Sequence, residues 1–109
     1  MENPVIYEDM DHVTYLTTRI NELNIQYKLL DDSRDEHIFE MYGCDERAYA
    51  IERGYVDIPD GDIIVEECDR RIAAAKNKLA LIVKEMECIA NEINNLRYHL
   101  ELSCTLNQG

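Results

Sequence analysis

The stretch from Asp62 to Asn107, DIIVEECDRRIAAAKNKLALIVKEMECIANEINNLRYHLELSCTLN, contains no glycine and no proline. Its apolar residues fall in strict 3-4 alternation. Counting Val65 as the first core position, the series runs Val65, Cys68, Ile72, Ala75, Leu79, Ile82, Met86, Ile89, Ile93, Leu96 and Leu100. A period of 3.5 residues held over about five heptads is the signature of a coiled-coil seam, because it keeps one narrow stripe facing a partner helix. At 1.5 Å per residue such a helix is roughly 60 Å long. Asp60 and Asp62 stand where they can cap its start, and Glu66 and Glu67 lie near the positive end of its dipole. Glu66–Arg70 and Glu67–Arg71 are i,i+4 pairs of the favoured polarity.

The first half repeats the pattern more loosely. Val13, Leu16, Ile20, Leu23, Tyr27 and Leu30 alternate in the same way, then the stripe meets Arg34 and His37 before Met41 resumes it. Ser33 followed by Glu36 has the form of a capping box, which would restart a helix there. The reading preferred is one helix over about 8–42, locally polar in its middle and stopped by Gly43. Between the helices, Ala48-Tyr49-Ala50-Ile51 and Tyr55-Val56-Asp57-Ile58 are short runs rich in β-formers around Gly54. They read as a β-hairpin over about 47–59, in competition with a short helix from Asp45 to Arg53 capped by Gly54. Pro59-Asp60-Gly61 is a turn that launches the second helix, over about 62–104. The fold class expected is mainly α: one domain over 1–109, an antiparallel two-helix coiled-coil hairpin with a short β-hairpin connector. A two-helix hairpin buries little, and an isolated β-hairpin is barely stable, so the pattern calls for sister chains that pair through the connector.

Composition narrows the partners. The chain of 109 residues carries 23 Asp and Glu against 11 Lys and Arg, a net charge of −12. That charge repels nucleic-acid phosphate and anionic membrane, and suits a basic protein partner or plain solubility. No run of apolar residues is long enough to span a bilayer, and Met1-Glu2-Asn3-Pro4 lacks the basic-then-apolar form of a secretory leader. A cytoplasmic location is therefore expected, with reduced thiols. The separations of Cys44, Cys68, Cys88 and Cys104 fit no zinc-binding spacing. His12, His37 and His99 are scattered, no phosphate-binding glycine loop exists, and the acidic cluster Asp57, Asp60, Asp62, Glu66 and Glu67 lacks calcium-loop spacing. The expectation is a protein that is not an enzyme and needs no metal or cofactor.

Helix, β-hairpin and helix in one short acidic chain resembles the β-class subunits of prefoldin, most closely the fourth-subunit type of eukaryotes. The entry segment Val5-Ile6-Tyr7-Glu8-Asp9 matches the form that group carries before its first coil. The distance from Tyr49 to the end of the chain also fits. Two features depart from the pattern. Glu52-Arg53 separate Ile51 from Gly54, and the tail Ser103-Cys104-Thr105-Leu106-Asn107 lacks the family's aromatic ending. The resemblance implies a subunit of a hetero-hexameric, ATP-independent co-chaperone. It would capture unfolded actin- or tubulin-type clients and deliver them to the cytosolic group II chaperonin. Ile6, Tyr7, Met10, Val13, Leu100, Leu102 and Leu106 would then form the client-binding tip, with more apolar groups than one seam can bury. Tyr49, Ile51, Val56 and Ile58 would carry subunit assembly by strand pairing. Two other functions fit the composition: a small acidic helical inhibitor that imitates nucleic-acid charge, and a structural coiled-coil adaptor.

Overall fold

The computed structural model describes the backbone of residues 4–108 and the side chains of residues 11–105. Two helices account for nearly all of it, α1 over Pro4–Glu52 and α2 over Gly61–Gln108. They divide into two compact units. The first comprises the chain up to Leu29 with the segment from Met86 onward, and the second is Leu30–Glu85. No helix is long and apolar enough to cross a membrane among the described residues.

In the first unit, the N-terminal part of α1 packs against the C-terminal part of α2. Leu16, Ile20 and Leu23 from α1 and Met86, Ile89 and Ile93 from α2 are buried, and all six are seam positions. Val13, Leu96 and Leu100 are half-buried along the same line. Arg19 ties the two helices at the seam's edge, 3.5 Å from Glu92. This pair is exposed on both sides, so it contributes little beyond fixing register.

The second unit is a helical hairpin. Its core gathers Cys44, Ala48 and Cys68, with Ile64, Val65 and Ile72 packed against them, and Ala75 is buried further along. Every α2 seam position named from the sequence is buried or half-buried, so the 3-4 alternation identifies the inner face without a slip. On α1 the polar interruption does not break the helix. Arg34 pairs with Asp31 one turn earlier. The His37 ring donates from Nδ1 to the Ser33 carbonyl at 2.7 Å. Both polar side chains thus find a partner within their own helix, although the buried Arg34 Nε has no hydrogen bond, and no restart is needed at Ser33.

The connector differs from the expected β-hairpin. Among the described residues there is no strand. α1 runs through Gly43 and continues to Glu52, nine residues past the expected stop at Gly43. The cause is visible in the alternation itself: after Met41 it continues as Cys44, Ala48 and Ile51, all buried or half-buried. That burial offsets the cost of about 1 kcal/mol of a glycine inside a helix. Tyr49 and Ile51 therefore lie in the last turns of α1, and Val56 and Ile58 lie in an irregular loop. α1 ends where the competing reading had it. Gly54 has φ +74°, the Tyr55 amide donates to the Ala50 carbonyl at 2.9 Å, and the Gly54 amide donates to the Ile51 carbonyl at 3.1 Å. This 6→1 and 5→2 pair is a Schellman cap, which satisfies the helix's last carbonyls. The loop closes on Asp60, at φ +62°, whose carbonyl receives the Ile63 and Ile64 amides at 3.0 and 3.2 Å. Gly61 then starts α2 against Ile51, so tightly that a Cβ there would stand 2.9 Å from Ile51 Cγ2.

The three glycines of this unit should respond differently to alanine. Open space surrounds Gly43, so Gly43→Ala is expected to stabilise by about 0.5–1 kcal/mol. Gly54→Ala is expected to destabilise by about 1 kcal/mol through its positive φ. Gly61→Ala is expected to destabilise too, and to do so less when Ile51→Ala removes the clash. Urea denaturation of the single and double variants measures all of these. In the first unit Leu23 is 1% exposed. Leu23→Ala is expected to cost about 2–5 kcal/mol, read as a lowered midpoint in the same experiment.

Candidate protein-binding face

Heptad positions that point away from the partner helix are normally charged or polar. Several here are not. In the second unit Phe39 is 81% exposed and Tyr42 is 66% exposed. Tyr49, half exposed, follows on the same side of α1, three and then seven residues along. With Met41 and Ala48 as first core positions, Phe39 falls at f and Tyr42 and Tyr49 at b. All three rings stay largely exposed, although Tyr42 edges a groove that it shares with Ile72, Lys76 and Leu79 of α2. Carboxylates are interleaved with them: Asp35, Glu36, Asp45, Glu46 and Glu52 are all exposed. The face therefore mixes rings with carboxylates, Asp35 sharing the b position with Tyr42 and Tyr49, and Glu46 the f position with Phe39.

Tyr49 is held in place. Its ring lies 6.1 Å from that of Tyr55, tilted by 58°, and the Arg53 guanidinium stands 5.0 Å from its centroid. The Schellman cap sets this arrangement, because it turns Tyr55 back over the last turn of α1. A hydrophobic contact of this kind commonly accompanies such caps. Beside it, Ile51, Val56 and Ile58 converge with Gly54, Asp57, Asp60 and Gly61 around a connector groove of about 750 Å³. Three of the four residues expected to mediate assembly thus meet in one place, as loop and helix end rather than as strands. Tyr49 is not among the groove's lining residues.

The other expected site is described only in part. Ile6, Tyr7, Met10 and Leu106 lie outside the residues whose side chains are described. In the first unit Val13 and Leu100 are half-buried in the seam, and Leu102 is 42% exposed. Tyr15, Ile25 and Leu29 are exposed on α1 of this unit. The Tyr98 and His99 rings meet edge to face at 5.8 Å.

On the other side of the hairpin, Cys44, Cys68, Gly43, Ile63 and Ile64 line a cleft whose charged residues are Glu40, Arg47, Glu67, Arg70 and Arg71. Glu67 bonds Arg70 at 2.7 Å and reaches Arg71 at 3.5 Å. The hydrogen bond and charge of Arg70 hold the Glu67 carboxyl below its usual value. Burial pushes the Cys68 thiol up, as does the neighbouring Cys44 thiol.

No protein-family model matches the chain, and comparison with curated proteins and with solved structures finds no match either.

Sequence reasoning did not find the outer face of α1. The signal was present, since Phe39, Tyr42 and Tyr49 occupy outward positions of the same heptad count that located the seam.

Two measurements check this geometry. A brief pulse of iodoacetamide is expected to label the exposed Cys88 and Cys104 and to spare the buried Cys44 and Cys68. Carbon-detected titration is expected to find the Glu67 midpoint below that of an ordinary glutamate, and Arg70→Ala to return it toward that value. The sign is that of a depressed carboxylate: whatever the pair adds to stability is present above the unfolded-state midpoint and is lost as pH falls through the folded one.

Proposed function

We propose that this chain is a non-enzymatic helical-hairpin binding module that takes a basic amphipathic helix of a partner protein on the outer face of α1. The observation that carries the reading is the exposure of Phe39, Tyr42 and Tyr49 at outward positions, between carboxylates. Aromatic rings at an exposed helix face supply rigid contact area, and large exposed apolar patches mark interaction sites. The net charge of −12 gives the partner its sign. A helix with an apolar stripe and flanking lysines or arginines would bury the rings and meet Asp35, Glu36, Asp45, Glu46 and Glu52 among and around them. These charges would speed encounter and exclude acidic competitors, and the rings would supply most of the affinity.

This reading keeps the adaptor expected from the sequence and alters the route to assembly. A prefoldin-type subunit joins its sisters through connector strands, and here the connector offers a capped helix end and a loop. Helix-on-helix packing is the assembly mode that the exposed rings favour. The client-holding chaperone is retained as a second reading, favoured by Leu102, which stays exposed beside the half-buried Val13 and Leu100. In that reading the partners are sister subunits, unfolded clients and a group II chaperonin.

Fluorescence anisotropy with a labelled basic amphipathic peptide tests the first reading. The wild-type chain is expected to bind with an affinity that weakens as salt rises. The Phe39→Ser/Tyr42→Ser/Tyr49→Ser variant is expected to bind at least tenfold more weakly, with its helical circular dichroism unchanged. Equal affinity of the two proteins would remove the outer face from the account. For the second reading, the chain without ATP is expected to slow aggregation of a chemically unfolded protein, and Leu102→Ser to weaken that effect.

A further inference from the structure

Two of the four cysteines do not behave as isolated small apolar groups. Cys44 on α1 and Cys68 on α2 are 7% and 5% exposed and belong to the same core cluster. They lie 24 residues apart in the chain, with the end of α1, the connector loop and the start of α2 between them. The core residues around them are Ala48, Ile64, Val65 and Ile72, with no aromatic ring among them.

The thiols are buried enough to be spared by a brief pulse of reagent, yet they border open space. Both line a cleft of about 550 Å³, together with Gly43, which presents no side chain and has open space beside it. The cleft's charge runs against that of the chain. Three arginines, Arg47, Arg70 and Arg71, face two glutamates, Glu40 and Glu67, a local balance of +1 in a protein of −12. Glu67 is already engaged by Arg70 and Arg71. An anionic small molecule is therefore attracted here, where the rest of the surface repels it.

We propose that Cys44 and Cys68 are a modification site, a thiol pair that a small anionic disulfide of the glutathione class oxidises to an intramolecular disulfide linking α1 to α2. The electrons balance by two exchanges. One cysteine, as thiolate, attacks a sulfur of the small disulfide, forming a mixed disulfide and expelling one small thiol. The second cysteine then gives up its proton and attacks the protein sulfur of that mixed disulfide. The Cys44–Cys68 bond forms and the second small thiol leaves. Two protein thiols are oxidised and one small disulfide is reduced to two thiols. The bond would close the loop around the connector, clamping the end of the hairpin by restricting the unfolded chain.

The test uses the full chain carrying Cys88→Ser and Cys104→Ser, which removes the two exposed thiols. The protein is incubated in buffers of oxidised and reduced glutathione. It is also refolded from denaturant in the same buffers, so that access to the buried pair does not limit the result. Intact mass is expected to fall by two hydrogens, a digest to yield the Cys44 peptide joined to the Cys68 peptide, and Tm to rise over that of the reduced protein. Cys44→Ala in the same background is expected to gain at most one glutathione and no Tm increase. The proposal is overturned if the pair stays reduced in excess oxidised glutathione after refolding, if only glutathione adducts form, or if the cross-links join separate chains.

Discussion

Everything in this fold depends on one constraint: two helices of nearly equal length must keep a narrow apolar stripe in contact, and each stripe is only two positions wide per heptad. No aromatic residue is buried among the described ones, and the buried set is Leu, Ile, Met, Ala and Cys. Such a seam tolerates little. A missing methylene in the most buried layer has few neighbours to fill the gap, while a polar side chain in it must find its partner within its own helix. Arg34 and His37 do so, through Asp31 and the Ser33 carbonyl. The same demand for continuity explains the connector. Cys44, Ala48 and Ile51 extend the stripe past a glycine, and burying them outweighs the local preference of Gly43 to end the helix.

The legible part of the fold was the part written in period. The α2 seam could be read residue by residue from Val65 to Leu100, because no glycine, proline or misplaced polar residue disturbs it. The α1 seam was legible up to Met41 except at Tyr27, an expected seam position that is 38% exposed. Beyond that, two local signals pointed the wrong way. Gly43 has the look of a helix stop, and Ala48-Tyr49-Ala50-Ile51 has the composition of a strand. Both are weak beside the tertiary burial of the alternating positions, and β-propensity largely reports fit to a half-buried surface. Gly54 was recognised as a residue of positive φ in either reading, but a hairpin turn and a Schellman cap ask the same of it. The hydrogen bonds from Tyr55 and Gly54 to Ala50 and Ile51 decide between them.

The candidate site was less legible, for a different reason. Seam residues declare themselves by repetition, whereas an exposed ring is informative only once the inward positions are fixed. Phe39, Tyr42 and Tyr49 could be taken for helix or strand filling until α1 is seen to run through them. The connector residues Ile51, Val56 and Ile58 were chosen for the right place and the wrong geometry: they converge on a groove beside the cap and present no strand edge. Among the described residues there are no strands to pair, and the basic helix proposed as partner is argued from the exposed rings and the carboxylates around them.

Backbone chemical shifts across residues 41–63 test the central claim, that the seam carries α1 unbroken through Gly43 to a cap at Gly54. The account predicts helical carbon shifts from Met41 through Glu52, a break from Arg53 to Asp60, and helical shifts again from Gly61. Extended shifts at Ala48–Ile51 and Tyr55–Ile58, with cross-strand contacts between them, would contradict it and restore the β-hairpin connector.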